Sequence, residues 1–296
     1  MCGCNADDPG EVPGSPPGGT TGGTGLCCAC PASDTISQNG NGTYFTTTDY
    51  PMPSIVNKCE IDIVRTATDG TVTLTKSFDL STANLGTALT DTAAKATATS
   101  AIASAMSNWT SGASAYKVKI EQPGCDPQEL TMVFRSSIVA SGGDVAVTVD
   151  GSTPPPRPTF VSGGVRMTIF LNGSGSVSWT MTHEVGHTFG LPDEYAEILG
   201  VPIVPPPTTP GAPTITPPSV SPTTTYIGAP PQANVTFPLT PRRVSPRRPT
   251  KYLFDNPSVM GRDGNTTYPM NLFFWVAIEV KKILAAEGAP STVTIV

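Results

Sequence analysis

At 296 residues the chain is long enough for one large domain or two small ones around a sizeable core. Only 14% of it is charged, against 32 prolines and 29 glycines, so its polarity rests on Thr and Ser rather than on charge. A net charge of −6 argues against nucleic acid and anionic membrane as main partners, and no apolar run approaches the roughly 18–20 residues that span a bilayer.

Residues 1–33 are rich in Gly, Pro and Thr without periodicity, which predicts a flexible N-terminal arm. Its start has neither a basic n-region nor an apolar h-region, so it does not read as a Sec-type signal peptide. The expected location is therefore the cytoplasm of the producing cell, or outside it by a non-classical secretion or injection route. Five of the seven cysteines (Cys2, Cys4, Cys27, Cys28 and Cys30) lie in this arm, without the paired knuckles of a zinc module. Cys59 and Cys125 stand apart, either as buried thiols or as one disulfide.

From Cys59 the pattern becomes regular. Cys59 to Arg65 alternates, Asp69-Gly70 reads as a turn, and Thr71 to Thr75 alternates again, the signature of a β-hairpin. Residues 89–109 place Ala94, Ala98, Ala101, Ile102, Ala105 and Trp109 at spacings of three and four, predicting an amphipathic helix capped by Thr90 or Asp91. Strands are expected over 116–121, 130–139, 145–149 and 165–171, the last ended by Asn172-Gly173. The pattern turns helical again from Val177. Residues 34–200 thus form one unit, and 201–250 break it with 15 of the 32 prolines, predicting an irregular or polyproline insertion. Residues 251–296 close the chain with a turn over 256–264 and a helix over 271–287, whose apolar face is Phe273, Val276, Ala277, Val280, Ile283 and Leu284 and whose stop is Gly288.

The chemistry concentrates in His183-Glu184-Val185-Gly186-His187. The chain has two histidines in total, and they stand four apart, on one face of a helix and one turn from each other. Both imidazoles can face one Zn²⁺, while Glu184 reaches round to a water on that ion as general base. A catalytic zinc site needs a third protein ligand. Gly190 can adopt the left-handed conformation that ends a helix, and Pro192 prevents its resumption, so the chain can fold back and bring Asp193 to the metal. Glu194, Glu197 and the distant Glu279 remain alternatives for that position.

The run from His183 to Asp193, HEVGHTFGLPD, resembles the metzincin pattern HExxHxxGxxH/D with Asp as third ligand. Asn256-Pro-Ser-Val-Met260-Gly261 resembles the metzincin Met-turn, and Gly190 to Tyr195 is similar to metallopeptidase domains of bacterial toxins and effectors. The resemblance implies an α+β zincin fold with a mixed twisted sheet, an active-site helix and a C-terminal helix after the Met-turn. It implies zinc-dependent endopeptidase activity on protein or peptide substrates, with His183, His187 and Asp193 as metal ligands, Glu184 as catalytic base and Met260 beneath the metal. The family's tyrosine two residues after that methionine is replaced by Arg262, leaving Tyr195 and Tyr268 as candidate oxyanion stabilisers. Substrate is expected to lie extended along an edge strand, 165–171 or its neighbour. An alternative reading makes the chain an effector or structural module of a secretion or contractile injection system, with the delivery apparatus as its partner. Arg242, Arg243, Arg247 and Arg248 form a basic knot in this acidic chain, in a solvated loop or a docking site. Signatures of P-loop, α/β-hydrolase and dinucleotide-binding enzymes are missing.

Overall fold

The computed structural model describes residues 28, 30–50, 52–66, 68–87, 89–152, 159–171, 177–203, 215–245, 247–262 and 265–296. The first strands are β1 (Ala32–Asn39), β2 (Phe45–Thr48), β3 (Val56–Arg65) and β4 (Asp69–Ala83). Helix α1 (Asp91–Ala113) leads to β5 (Val118–Glu121), β6 (Gln128–Val139), β7 (Val145–Asp150), β8 (Phe160–Ser162) and β9 (Arg166–Phe170). Helix α2 (Val177–Thr188) follows, then β10 (Tyr195–Leu199), β11 (Val201–Pro202), β12 (Ile215–Thr216), β13 (Thr223–Tyr226) and β14 (Val235–Pro238). The chain ends with β15 (Thr240–Val244), β16 (Lys251–Asp255), a 3₁₀ turn over Met270–Phe273, α3 (Phe274–Ala286) and β17 (Thr292–Ile295).

The fold is α+β around a mixed nine-stranded sheet, ordered β17-β5-β6-β4-β7-β9-β8, with β3 on β4 and β1 on β3. Strand β4 makes this possible by its length of 15 residues. Its Asp69–Asp79 stretch pairs parallel with β6, while its other edge serves β3 antiparallel and then β7 parallel. Alternation drives the assembly: Val72, Leu74, Phe78 and Leu80 of β4 turn inward, as do Leu130, Met132 and Phe134 of β6 and Val145, Val147 and Val149 of β7.

Helix α1 begins where Thr90 accepts a hydrogen bond from the Ala93 N–H at 3.2 Å. Its face of Ala94, Ala98, Ile102, Ala105 and Trp109 is buried, with Ala101 at its margin, and the small side chains let it pack closely on β6 and α2. The Trp109 indole N–H donates to the Thr182 carbonyl of α2 at 2.9 Å, and its ring meets Phe134, Phe189 and Phe273 at centroid distances of 6.0, 6.2 and 6.0 Å. Helix α3 seals the core with Val276, Ala277, Val280, Ile283 and Leu284. No helix among the described residues is long and apolar enough to cross a membrane.

Several expectations need correction. The predicted arm ends earlier than residue 33: Ala32 and Ile36 are buried as β1 pairs with β3. Cys125 is disulfide-bonded to Cys28, and Cys59 is a buried free thiol. Residues 1–27, like Asn172-Gly173, lie outside the described residues. The turn of the predicted hairpin precedes Asp69-Gly70, which already belong to β4. The predicted polyproline insertion carries strands. β13 pairs with β2 and β14, burying Thr224 and Tyr226, because alternating β-branched threonines fit a half-buried pleat. Its strand prolines are tolerated on edge strands: Pro238 on β14, and Pro241 at a bulge in β15. Of the two expected edge strands, β9 is covered by β8, so the free edge is that of the neighbour of the 165–171 segment, the second alternative.

Candidate metal centre

Helix α2 carries both histidines, and its end determines what meets them. Gly190 has φ of +77°, the left-handed conformation that closes a helix, and its N–H donates to the His187 carbonyl at 3.0 Å. The chain then reverses through Leu191 and Pro192 and returns Asp193 to the face it has just left. The His183 and His187 rings stand edge to face with centroids 4.8 Å apart. Asp193 Oδ1 lies 3.1 Å from His183 Nε2 and 3.2 Å from His187 Nε2.

Backbone carbonyls orient the rings from behind. His183 Nδ1 faces the Val259 carbonyl at 3.0 Å, and His187 Nδ1 faces the Leu191 carbonyl at 2.9 Å. A carbonyl only accepts, so these contacts assign the ring hydrogen to Nδ1 and leave each neutral Nε2 with a lone pair. The donor set of two imidazole nitrogens and one carboxylate oxygen lies within 4.8 Å, the composition of a zinc site. Ligands at about 2.0–2.2 Å around a tetrahedral zinc stand about 3.4 Å apart, close to the observed nitrogen–oxygen separations. The residues could therefore hold a metal ion, and their donor types suit zinc.

Electrostatics agree with an ionised carboxylate here. Burial would raise the Asp193 pKa, but His187 and His183 outweigh it and hold the carboxyl well below the usual range. Burial would likewise depress His187, but Asp193 and then Glu184 outweigh it and carry its pKa up to about 9. A proton and a cation compete for the same lone pair. Glu184 behaves differently, its carboxyl pushed upward by burial against the pull of the two histidines. Its Oε2 accepts from the Val161 N–H of edge strand β8 at 2.7 Å. These groups open into a cleft of about 800 Å³, lined by Tyr50, Met52 and Ile55, by Val161 of β8 and by Tyr195 to Ile198 of β10.

Met260 is fully buried under α2, where a Cβ on Gly186 would come within 2.3 Å of its sulfur. Tyr195 lines the cleft with its ring 6.2 Å from His183, and burial first, then Asp193 and Glu184, keep its hydroxyl protonated. Tyr268 is not brought to the cleft: its ring packs on Trp109 at 5.3 Å and over Gly112.

The alternative third ligands face elsewhere. Glu194 is buried and accepts from Tyr226 at 2.7 Å, Asn256 at 2.9 Å and Ser258. Glu197 accepts from Ser245 and Arg262, and Glu279 from Lys282 at 2.7 Å. Among the described residues, His183, His187 and Asp193 are the group that could hold a metal. Sequence reasoning missed the Val259 and Leu191 carbonyls and the Val161 N–H, because backbone groups leave no side-chain signal.

Comparison of the chain with protein-family models, with curated proteins and with solved structures finds no match.

Proposed function

We propose that the chain is a zinc-dependent endopeptidase of metzincin type, in which His183, His187 and Asp193 hold the ion. The observation that carries this reading is the convergence of both Nε2 atoms on one Asp193 oxygen, with both Nδ1 atoms tied to backbone carbonyls. Zinc, when bound, polarises a carbonyl and lowers the pKa of a water from 15.7 towards about 7.

The chain's own groups do the rest. An extended peptide adds to the free edge of β8 and takes up the Val161 N–H, releasing the Glu184 carboxylate that this N–H now engages. Glu184 removes a proton from the attacking water as the new C–O bond forms. It delivers that proton to the leaving amine as the C–N bond breaks. A carboxyl raised by burial is suited to holding the proton between these events. The protonated Tyr195 hydroxyl, which engages Asp193, would turn from it to donate to the developing oxyanion. Met260 supports α2 from below, acting as a packing residue.

Metal analysis beside a casein digest tests the proposal. The wild type is expected to carry about one zinc per chain and to cleave, and His187→Ala to lose both properties. Glu184→Gln is expected to keep the zinc and lose about 10²–10⁴ in rate. Zinc-loaded wild type that cleaves neither casein nor a random peptide mixture refutes the peptidase reading.

A further inference from the structure

The two walls of the cleft differ in charge. On the β8 side the cleft presents Ile55 and Val161, whereas the β10 side carries Arg247, Arg248 and Arg262 around the carboxylate of Glu197. Glu197 accepts from Arg262 at 2.8 Å and from Ser245 at 2.7 Å, and lies 3.7 Å from Arg248. Burial would raise its pKa, but Ser245 and Arg262 outweigh that and hold it low. Glu197 is therefore a fixed anion that arrays two guanidinium groups. Three arginines less Glu197 leave two positive charges here, set beside the Asp193 and Glu184 carboxylates of the metal group, in a chain whose net charge is −6.

The excess is placed for use. Arg247 is exposed and forms no ion pair among the described residues. Arg262 is three-quarters buried, so its charge is less screened than a surface charge, and it lies 5.7 Å over the Tyr195 ring. That ring in turn lies 6.2 Å from His183, so the arginine wall begins one aromatic ring away from a metal ligand. An extended peptide advances about 3.3 Å per residue, and a side chain reaching this wall sits within about three residues of the bond at the metal.

We propose that this wall is an acid-accepting subsite, and that preferred substrates are peptides with a Glu or Asp side chain within three residues of the scissile bond. The proposal rests on the peptidase reading and adds the substrate class to it. A carboxylate presents two oxygens to the guanidinium fork and is oriented by it, whereas a Lys or Arg side chain at the same place meets like charge.

The test uses three pools of randomised dodecapeptides, acetylated and amidated so that no terminal charge competes, identical except for Glu, Gln or Lys at one central position. The wild type is expected to cleave the Glu pool about five- to tenfold faster in kcat/KM than the Gln pool, as two partly exposed ion pairs allow, chiefly through KM. The preference should shrink between about 50 mM and about 500 mM salt. Arg247→Glu/Arg248→Glu, at exposed positions, is expected to invert the order towards the Lys pool. Casein cleavage with equal rates on the Glu and Gln pools overturns the subsite and leaves the peptidase reading standing. If zinc-loaded protein cleaves nothing, the peptidase reading fails. The subsite is then judged by anisotropy of fluorescein-labelled Glu and Gln pools on the wild type, where equal binding overturns it.

Discussion

Replacing Gly186 by alanine separates the general behaviour of helices from what this helix rests on. In an open helix the change stabilises by about 0.8–1 kcal/mol. Here the new Cβ meets Met260 Sδ at 2.3 Å, Trp109 Cζ2 at 2.8 Å and Met260 Cε at 3.1 Å. Neither neighbour yields freely, because Met260 is fully buried and the Trp109 indole is held by its bond to the Thr182 carbonyl. Overpacking of this kind costs about 1–3 kcal/mol, which reverses the sign and leaves a net loss of up to about 2 kcal/mol. Because Gly186 lies between the two histidines, displacement of α2 should also weaken zinc binding, by about tenfold for each 1.4 kcal/mol lost there. Urea unfolding gives the first quantity, and competition against a chromophoric chelator gives the second. Met260→Ala alone opens a cavity costing about 2–5 kcal/mol. In the double variant the added methyl occupies part of that space, so the combined loss should fall short of the sum by at least about 1 kcal/mol. A Gly186→Ala protein that gains the full helix increment, binds zinc unchanged and adds linearly with Met260→Ala refutes the packing described for α2.

Burial pushes Lys76 from 10.5 down to about 8, so between those values the unfolded chain holds a proton that the folded chain has released, and stability should rise with pH. Lys76→Met is expected to remove that rise, on the order of 3 kcal/mol, seen as the difference between wild-type and variant urea midpoints from pH 7.5 to 10. Glu194→Ala strands the Tyr226, Asn256 and Ser258 donors and should lower stability by about 3 kcal/mol, loosening zinc binding through the neighbouring Asp193 without abolishing it. Asp193→Ala should instead lose the zinc, and metal analysis beside thermal melts distinguishes the two. Cys125→Ser opens a bridge spanning 97 residues and should cost roughly 2–5 kcal/mol in non-reducing buffer, with the Cys28–Cys125 peptide pair absent from a non-reducing digest.

Regular periodicity was readable wherever one face of an element meets the core. Thr90 and the Ala94 to Trp109 spacing carried α1, alternation carried β3 to β7, and the i, i+4 histidines with Gly190 and Asp193 define the group that converges. Three kinds of feature stayed hidden. Thr223–Tyr226 has no apolar alternation, and its strand is visible only through its partners β2 and β14. Lys76 sits at an inward position of β4, where a charged residue normally argues against burial. Its ammonium is accommodated by Asn57, the Lys58 carbonyl and the Thr188 carbonyl at the end of α2, contacts from distant segments. The partners that turn Glu194 and Glu197 away from the histidines, Tyr226, Asn256, Ser258, Ser245 and Arg262, come from distant segments that spacing does not show. The basic knot was visible, but not that Arg247 and Arg248 stand with Arg262 on one side of the cleft.

The buried Glu194 carboxylate is a knot with ends in separate parts of the chain: Tyr226 from the proline-rich segment, and Asn256 and Ser258 from the stretch before Met260. Its own backbone N–H donates to the Met260 carbonyl at 2.8 Å, and its neighbour is Asp193. Tension applied to β13 is thus transmitted to the loop that presents an acid to the histidines by two routes, Tyr226 to Glu194 and Thr224 through the Tyr50 hydroxyl to the Asp193 carbonyl. Excising the segment as a dispensable insert would leave that acid on a slackened tether, and shortening it without disturbing Thr224 and Tyr226 would not.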